Sequence, residues 1–296
     1  MKAPLLILCP GQGGQHAGMF DLARTDAGAA ALLDRLALDG PLFENRSAQP
    51  LIVASTLAMW QAIRNFAPEP ALVAGYSIGE LAAYGVAGAL DATDAVALAG
   101  MRAELMDDCR AVHPGQVMLA VSGLALAQAA ALIAQDGFYV AIETGEDSCI
   151  AGGLLAHAGA ASARLSSAGG HVTRLPVDVA SHTPYMAQAV PAFADMLRAS
   201  PLRAPFTPVL SGIGAVRIER RESAVEHLSR QLGEKIVWRD CMQACAEAGI
   251  TVALELGPGA ALSRMLQARH PDIACRSVAD FRSLAGIRAW LERQCG

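Results

Sequence analysis

The chain has 296 residues, of which 53% are hydrophobic and 17% are charged, so it has ample material for a core and is too apolar for a disordered protein. Its formal net charge of −5 argues against a protein that binds nucleic acid through a basic surface. No stretch reaches about 18 consecutive apolar residues free of charge. The sequence therefore predicts no membrane span.

The N-terminus and the cysteines bear on the cellular compartment. The opening MKAPLLILCPGQGG briefly resembles an export signal, but its short apolar run and Pro4 fit a buried first strand better. Seven scattered cysteines, an odd number, favour a reducing environment over a disulfide framework. Cys241 and Cys245 stand at helical spacing without histidines nearby, which indicates helix packing rather than metal binding. We therefore expect a cytoplasmic protein without a metal site.

Strands and helices alternate in the first part of the chain, which predicts a parallel sheet with crossover helices. The predicted elements there are a strand at 5–9, a helix at 51–66, a strand at 71–74 and helices after 77 and at 93–110. The pattern then changes to strand, helix, strand, strand, helix, strand, which is the ferredoxin-like order. Afterwards come a strand at 207–213, helices near 222–232 and 238–248, a strand at 251–256 and two C-terminal helices.

The resulting prediction is an α/β fold with two subdomains. A large parallel-sheet subdomain, of the kind found in α/β-hydrolases, is formed by residues 1–115 and 179–296. A small ferredoxin-like subdomain, residues 116–178, is inserted into it.

The segment Gly75-Tyr76-Ser77-Ile78-Gly79 follows a predicted strand and opens a predicted helix. A serine flanked by glycines two positions away on each side is the nucleophile-elbow pattern. The turn exposes the hydroxyl at a helix N-terminus, where free N–H groups favour a developing oxyanion. The alternative is a strand-turn-helix in which the serine only caps the helix.

At this point the chain resembles a known family, the malonyl-CoA:acyl-carrier-protein transacylases. The resemblance rests on five motifs, in the family's order and over nearly the whole chain. They are PGQGGQ (10–15), GYSIGE (75–80), GMRAELM (100–106), ASHTPYM (180–186) and ELGPG (255–259). It implies a serine acyltransferase that takes malonyl from coenzyme A and passes it to a carrier-protein thiol. It implies no tightly bound cofactor, with the coenzyme A thioester as substrate.

The resemblance also implies roles for single residues. Ser77 is the expected nucleophile, and His182 is the base that serine needs at neutral pH. Arg102 would pair with the free carboxylate of malonyl, with Arg110 as a competing choice. In the family, backbone carbonyls orient the histidine, and we place one of them near Val237.

Two backbone N–H groups, those of Gln12 and Ile78, match the family's oxyanion hole. PGQGGQ could also be a nucleotide-binding glycine loop, but His16 stands where the dinucleotide pattern needs glycine. Asp178 lies close to the histidine in sequence, yet the resemblance offers no triad role for it.

Some residues depart from the fatty-acid-synthesis members of the family. Tyr76 replaces the usual histidine of the elbow, and residues 142–153 lack an NxNSPxQ-like run. The elbow and the tail from 277 look more like the epsilon subunit of malonate decarboxylase. That subunit loads a small carrier subunit bearing a coenzyme-A-derived group. We expect this carrier, with a fatty-acid or polyketide carrier protein as the alternative.

Two competing functions come from other classes. A serine esterase or thioesterase would share the elbow, but its histidine normally lies near the C-terminus after an acidic partner, and an HGGG-type loop is missing. A non-catalytic subunit that only docks a carrier would not need Ser77, Arg102 and His182 together.

Overall fold

The computed structural model describes residues 3–36 and 38–296. Its strands are β1 (Leu5–Cys9), β2 (Leu72–Gly75), β3 (Gln116–Ser122), β4 (Tyr139–Glu143), β5 (Ser148–Leu154), β6 (His171–Arg174), β7 (Val209–Leu210), β8 (Arg217–Ile218), β9 (Val252–Glu255) and β10 (Ala274–Ser277). Its α-helices are α1 (Ala27–Arg35), α2 (Asn45–Ile63), α3 (Ile78–Val86), α4 (Ala92–Val112), α5 (Leu126–Ala134), α6 (Leu155–Ser167), α7 (Ala189–Ala199), α8 (Arg221–Arg230), α9 (Trp238–Glu247), α10 (Ala261–Arg269) and α11 (Leu284–Cys295).

The larger sheet has the strand order β10-β9-β1-β2-β7-β8 in the described chain. Neighbours pair in parallel except β8, which is antiparallel to β7. β1 is central, and all five of its residues are buried, as expected for an uninterrupted apolar run covered on both faces. The loops that follow β1 and β2 leave the same edge of the sheet, because both strands run in the same direction. That edge is where open α/β sheets bind their ligands.

The smaller sheet has the order β4-β5-β3-β6, and its pairs are antiparallel. Its strands and the helices α5 and α6 follow the chain order strand, helix, strand, strand, helix, strand. This confirms the predicted α/β class with a ferredoxin-like insertion. The elements of the insertion span Gln116 to Arg174. The exact subdomain boundaries, at 115/116 and 178/179, stay a prediction.

The two sheets share a hydrophobic core. One buried cluster contains Leu6 and Leu8 of β1 together with Met118 of β3 and Ile142 of β4. The backbone also connects β4 to the segment between α8 and α9, because the Ile236 N–H donates to the Ala141 carbonyl at 2.9 Å. The small subdomain therefore packs against the face of the large sheet to which Leu6 and Leu8 point. Within the described ranges, no helix is both long and apolar enough to cross a bilayer.

Candidate active site

Ser77 occupies a strained turn between β2 and α3, with φ 55° and ψ −119°. The two flanking glycines permit this turn. A Cβ on Gly79 would overlap the carbonyl oxygens of Cys9 and Pro10, and a Cβ on Gly75 would overlap the backbone of the following helix turn. The loop after β1 therefore packs directly on the elbow, and the geometry has the strand-turn-helix form expected of a nucleophile elbow.

His182 lies against the serine. Its Nε2 is 2.7 Å from Ser77 Oγ, although the two residues are 105 positions apart in sequence. Its Nδ1 is 2.6 Å from the carbonyl oxygen of Gln231, and its backbone N–H donates to the Leu232 carbonyl at 2.8 Å. A carbonyl oxygen can only accept, so Nδ1 carries the proton. The unprotonated Nε2 is then the acceptor for the serine hydroxyl, which is the arrangement of a general base.

The expectation for Val237 is wrong. The carbonyl that holds His182 belongs to Gln231, six residues earlier. The Val237 carbonyl accepts from the N–H groups of Asp240 and Cys241 at the start of α9, and the Val237 N–H donates to Gly212. Both polar groups of its backbone are thus used in beginning the helix. The orienting group is a backbone carbonyl, as predicted, but in a different segment.

Burial governs the protonation state of His182, which is 1% exposed. Desolvation, and after it the positive charge of Arg102, lowers the pKa of His182 to about 3, while the bond to Gln231 opposes the shift. The imidazole is therefore neutral at neutral pH, which is the form that can take a proton from serine.

Arg102, from α4, is buried in the same site with 3% exposure. Its guanidinium donates to Gln49 Oε1 at 2.6 Å and to Gln231 Oε1 at 3.3 Å. Burial lowers its pKa to about 10, with the charge of Glu80 opposing, so the group stays cationic at neutral pH. No carboxylate among the described residues forms an ion pair with it. A buried cation held by neutral amides can receive an anionic group.

Arg110 and Asp178, the competing candidates, lie outside this arrangement. The Arg110 side chain is 43% exposed and pairs with Asp107 at 3.6 Å. The Asp178 side chain is 70% exposed and is 4.0 Å from Arg174. Neither contacts Ser77 or His182 in the described part of the chain, so no carboxylate completes a triad of the hydrolase type.

The expected oxyanion-hole residues lie beside the elbow. Ile78 begins α3, and Gln12 is in the loop whose Gly11 contacts Tyr76. Within residues 3–36 and 38–296, neither backbone N–H donates to a protein acceptor. Both are therefore available to a ligand, and their part in catalysis stays a prediction.

A cavity of about 510 Å³ opens between the two subdomains next to Gln12. Its walls carry both signs of charge together with apolar side chains. They include Gln12, Gln15, Phe43, Arg46, Asp107, Arg110, Leu175, Val177 and Asp178. Apolar walls with a few polar groups are typical of a small-molecule site. No cluster of His, Cys, Asp and Glu suited to a metal ion occurs in the described ranges.

Three site residues have no counterpart among the sequence-based predictions. Gln231 holds both His182 and Arg102, Glu80 binds the Gln231 side chain, and Gln49 binds Arg102. Glu80 is the last residue of the GYSIGE motif, but the motif does not indicate which residue its side chain would contact. Gln231 and Gln49 stand in helical surroundings without a motif, and only the tertiary fold brings them to the site.

The fold and the site have the form of an acyltransferase in which a serine on an elbow of the α/β-hydrolase kind lies against a neutral histidine. Residues 39–279 match the acyl transferase domain family. The chain belongs to this family, and within it to the group that contains the malonyl CoA-acyl carrier protein transacylases.

Named relatives and solved structures match most of the chain. It is 30% identical to the malonyl CoA-acyl carrier protein transacylase of Mycobacterium tuberculosis, over 96% of this chain and 100% of the relative. It is 30% identical to that of Escherichia coli K12, over 86% and 89%. The structure of FabD from Acinetobacter baumannii is similar with a TM-score of 0.90 and 25% identity, covering 99% of both chains. For MCAT from Mycobacterium tuberculosis the TM-score is 0.86 at 29% identity, over 96% of this chain and 99% of that one.

Proposed function

We propose that this enzyme transfers a malonyl group from coenzyme A, through an ester on Ser77, to the prosthetic-group thiol of an acyl carrier protein. The observation that carries the proposal is the buried cationic Arg102, which shares Gln231 with the base His182. An acetyl group has no charge to pair with this guanidinium, whereas the carboxylate of malonyl does. The names of the two relatives at 30% identity support the same substrate and acceptor.

The first half-reaction loads the serine. His182 Nε2 takes the hydroxyl proton while Ser77 Oγ attacks the thioester carbonyl, and the Gln231 carbonyl holds the imidazolium in place. The N–H groups of Gln12 and Ile78 would stabilise the oxyanion. Collapse of the tetrahedral intermediate expels coenzyme A as its thiolate, and His182 returns the proton to it.

The second half-reaction runs through the same groups in reverse. The carrier thiol enters, gives its proton to His182 and attacks the malonyl ester. Ser77 then leaves with the proton from the imidazolium, and the carrier departs as the malonyl thioester. Arg102 holds the malonyl carboxylate in both halves, so that the acyl group stays in one orientation while the thiols exchange.

Within this function, we infer that the carrier is the small subunit of a malonate decarboxylase rather than a fatty-acid or polyketide carrier. Tyr76 supports this carrier because it replaces the family's histidine. Its ring packs edge-on against Trp238 with centroids 5.2 Å apart. Transfer rates measured side by side to a pantetheine-bearing fatty-acid carrier and to a carrier with the coenzyme-A-derived group test this choice of carrier. Faster loading of the fatty-acid carrier would reverse the assignment.

The seven cysteines are free and buried, which supports a cytoplasmic location.

Trapping the intermediate tests the reaction itself. Incubation with labelled malonyl-CoA, without a carrier, should add one malonyl group at Ser77 and release one coenzyme A in a burst. Ser77→Ala should abolish both, while the exposed control Ser166→Ala should behave as the wild type. A label on any other residue contradicts the assignment of Ser77.

The same sample separates the transferase from the esterase. In a transferase, the malonyl-enzyme persists in buffer and is discharged when a carrier thiol is added. Rapid loss of the label to water would instead favour a serine esterase. A protein that binds the carrier but forms no covalent intermediate would be a docking subunit.

A further inference from the structure

The side chain and the backbone of Gln231 serve different parts of the site. Its backbone carbonyl is 2.6 Å from His182 Nδ1, and its side-chain Oε1 accepts from Arg102 at 3.3 Å. Its Nε2 donates to Glu80 Oε2 at 2.5 Å. The base and the cation are therefore connected through a single residue that follows helix α8.

Glu80 determines which way the Gln231 amide faces. Its Oε2 accepts from the Gln231 side chain and from the Gly212 N–H at 2.9 Å. Because Oε2 already accepts from the Gly212 N–H, a proton bound by this carboxyl group would lie on Oε1, and in either protonation state Oε2 requires the NH₂ end of the amide. The carbonyl end of Gln231 must then point towards Arg102, where it supplies an acceptor. With the amide reversed, its NH₂ group would face the cation, and both Glu80 and Arg102 would lose their hydrogen bonds to Gln231.

We propose that Glu80 is a positioning residue for acyl transfer, fixing the Gln231 amide so that Arg102 is held ready for an acyl carboxylate beside His182. The proposal rests on malonyl transfer as the function. It assigns to the last residue of GYSIGE a task that the elbow itself does not require. The Glu80 backbone N–H donates to the Ser77 carbonyl at 3.0 Å, but in the described chain its carboxylate bonds neither Ser77 nor His182, so the side chain acts through Gln231.

The position of the negative charge is part of this role. Glu80 is fully buried and does not form an ion pair with Arg102 in the described ranges, although its charge raises the pKa of that arginine. The other ionisable groups that face it are Tyr84 on its own helix and Cys241 on α9. Burial raises the pKa of Glu80 to about 7, with its hydrogen bonds and Arg102 opposing. One amide thus separates the carboxylate from the guanidinium, and Arg102 keeps donors for the substrate.

An exchange of the two side chains tests this arrangement. In Glu80→Gln/Gln231→Glu the pair can again form hydrogen bonds, and the backbone carbonyl that holds His182 is unchanged. The carboxylate now lies next to Arg102, however, where it competes with malonyl. The single variants Glu80→Gln, which keeps an acceptor oxygen, and Glu80→Ala, which removes it, complete the set.

The control is Glu255→Gln. Glu255 is also completely buried and accepts from two backbone N–H groups, those of Leu262 and Ser263, but it does not contact Gln231 or Arg102. It should lower the melting temperature without changing the preference for malonyl over acetyl. It therefore reports the effect of losing a buried carboxylate on stability alone.

The readout is the ratio of kcat/KM for malonyl-CoA to that for acetyl-CoA, measured beside the melting temperature. We expect Glu80→Gln to keep the wild-type ratio within about threefold, since an acceptor remains for the Gln231 amide. Glu80→Ala and the exchange should each lower the ratio by about tenfold or more, mainly through a higher KM for malonyl-CoA. If Glu80→Ala does not fold, the malonyl-to-acetyl ratio of the exchange variant tests the proposal on its own.

The proposal is overturned if the exchange keeps the wild-type ratio, or if Glu80→Ala lowers the melting temperature and leaves the ratio unchanged, as Glu255→Gln should. These outcomes are distinct from a failure of the proposed function. In that case the wild-type protein itself would form no malonyl ester on Ser77, or would show no preference for malonyl.

Discussion

Replacing Arg102 is the strongest test of how the acyl group is selected. In Arg102→Ala the malonyl carboxylate would enter a site in which Gln49 and Gln231 offer it neutral amides but no cation. Arg102 is only 3% exposed, so water does not compensate for the lost charge. Removing one partner of a buried ion pair costs about 3–5 kcal/mol. We therefore expect kcat/KM for malonyl-CoA to fall by about two to four orders of magnitude.

The assay is the burst of coenzyme A release with malonyl-CoA and with acetyl-CoA. Acetyl carries no charge, so its rate should change little and the selectivity should collapse. Arg102→Lys keeps a point charge but not the planar guanidinium, so kcat/KM for malonyl-CoA should fall about tenfold. The control is Arg110→Ala, on the same helix but 43% exposed, which should leave the ratio of the two substrates unchanged. Unchanged selectivity in Arg102→Ala, or an equal loss in Arg110→Ala, would refute the reasoning.

Two further predictions concern stability. The folded-state pKa of His182, about 3, lies below its unfolded value of 6.5, so its contribution to stability is intact above pH 6.5 and is lost as the pH falls towards 3. Denaturant titration at pH 8 and at pH 5 should show that the free energy of unfolding falls by about 2 kcal/mol more in the wild type than in His182→Asn. An equal fall in the two proteins would mean that the histidine is not held neutral. Glu80 titrates in the opposite sense in both proteins, so only their difference is informative. Gly79→Ala should lower the free energy of unfolding by about 3 kcal/mol or more, because the added Cβ meets the Cys9 carbonyl. The control Gly159→Ala, at an exposed helical position, should change it by about 1 kcal/mol or less. Similar melting temperatures for the two variants would contradict the packing of the elbow.

Local sequence patterns predicted the elements that carry the site. The apolar run at 5–9 is β1 as expected, and the alternation between 116 and 178 has the ferredoxin-like order. The predicted start of the second helix at residue 51 is six residues late. Pro50 favours a helix start, but α2 begins at Asn45 and continues through the proline, where the backbone forgoes one hydrogen bond within a well-buried helix. The strand predicted at 207–213 pairs over only two residues, Val209 and Leu210, beside a short edge strand.

The side chains of the site were easier to predict than its backbone groups. Ser77, His182 and Arg102 carry their chemistry in the residue type, so motifs could select them as candidates, and the fold brings them together. The carbonyl that orients His182 could belong to any residue, since every amino acid has one, and only the path of the chain after α8 selects Gln231. For the same reason, the sequence could not predict that the Gln231 side chain bonds both Arg102 and Glu80. Its partners come from α3 and α4, more than a hundred positions away.

The way His182 is held also bears on why a thiol, rather than water, would discharge the acyl-enzyme. A hydrolase triad places a carboxylate on the histidine, which stabilises the imidazolium and strengthens the base. Here a neutral carbonyl takes that place, and burial and Arg102 lower the pKa of His182 to about 3. Such a base takes a proton more readily from an acidic nucleophile than from water, while for Ser77 the preformed hydrogen bond of 2.7 Å to Nε2 offsets the low acidity of the hydroxyl. A thiol has a pKa of about 8.5, against about 15.7 for water. The weak base would thus favour transfer between thioesters and protect the malonyl ester from hydrolysis while the carrier exchanges with coenzyme A.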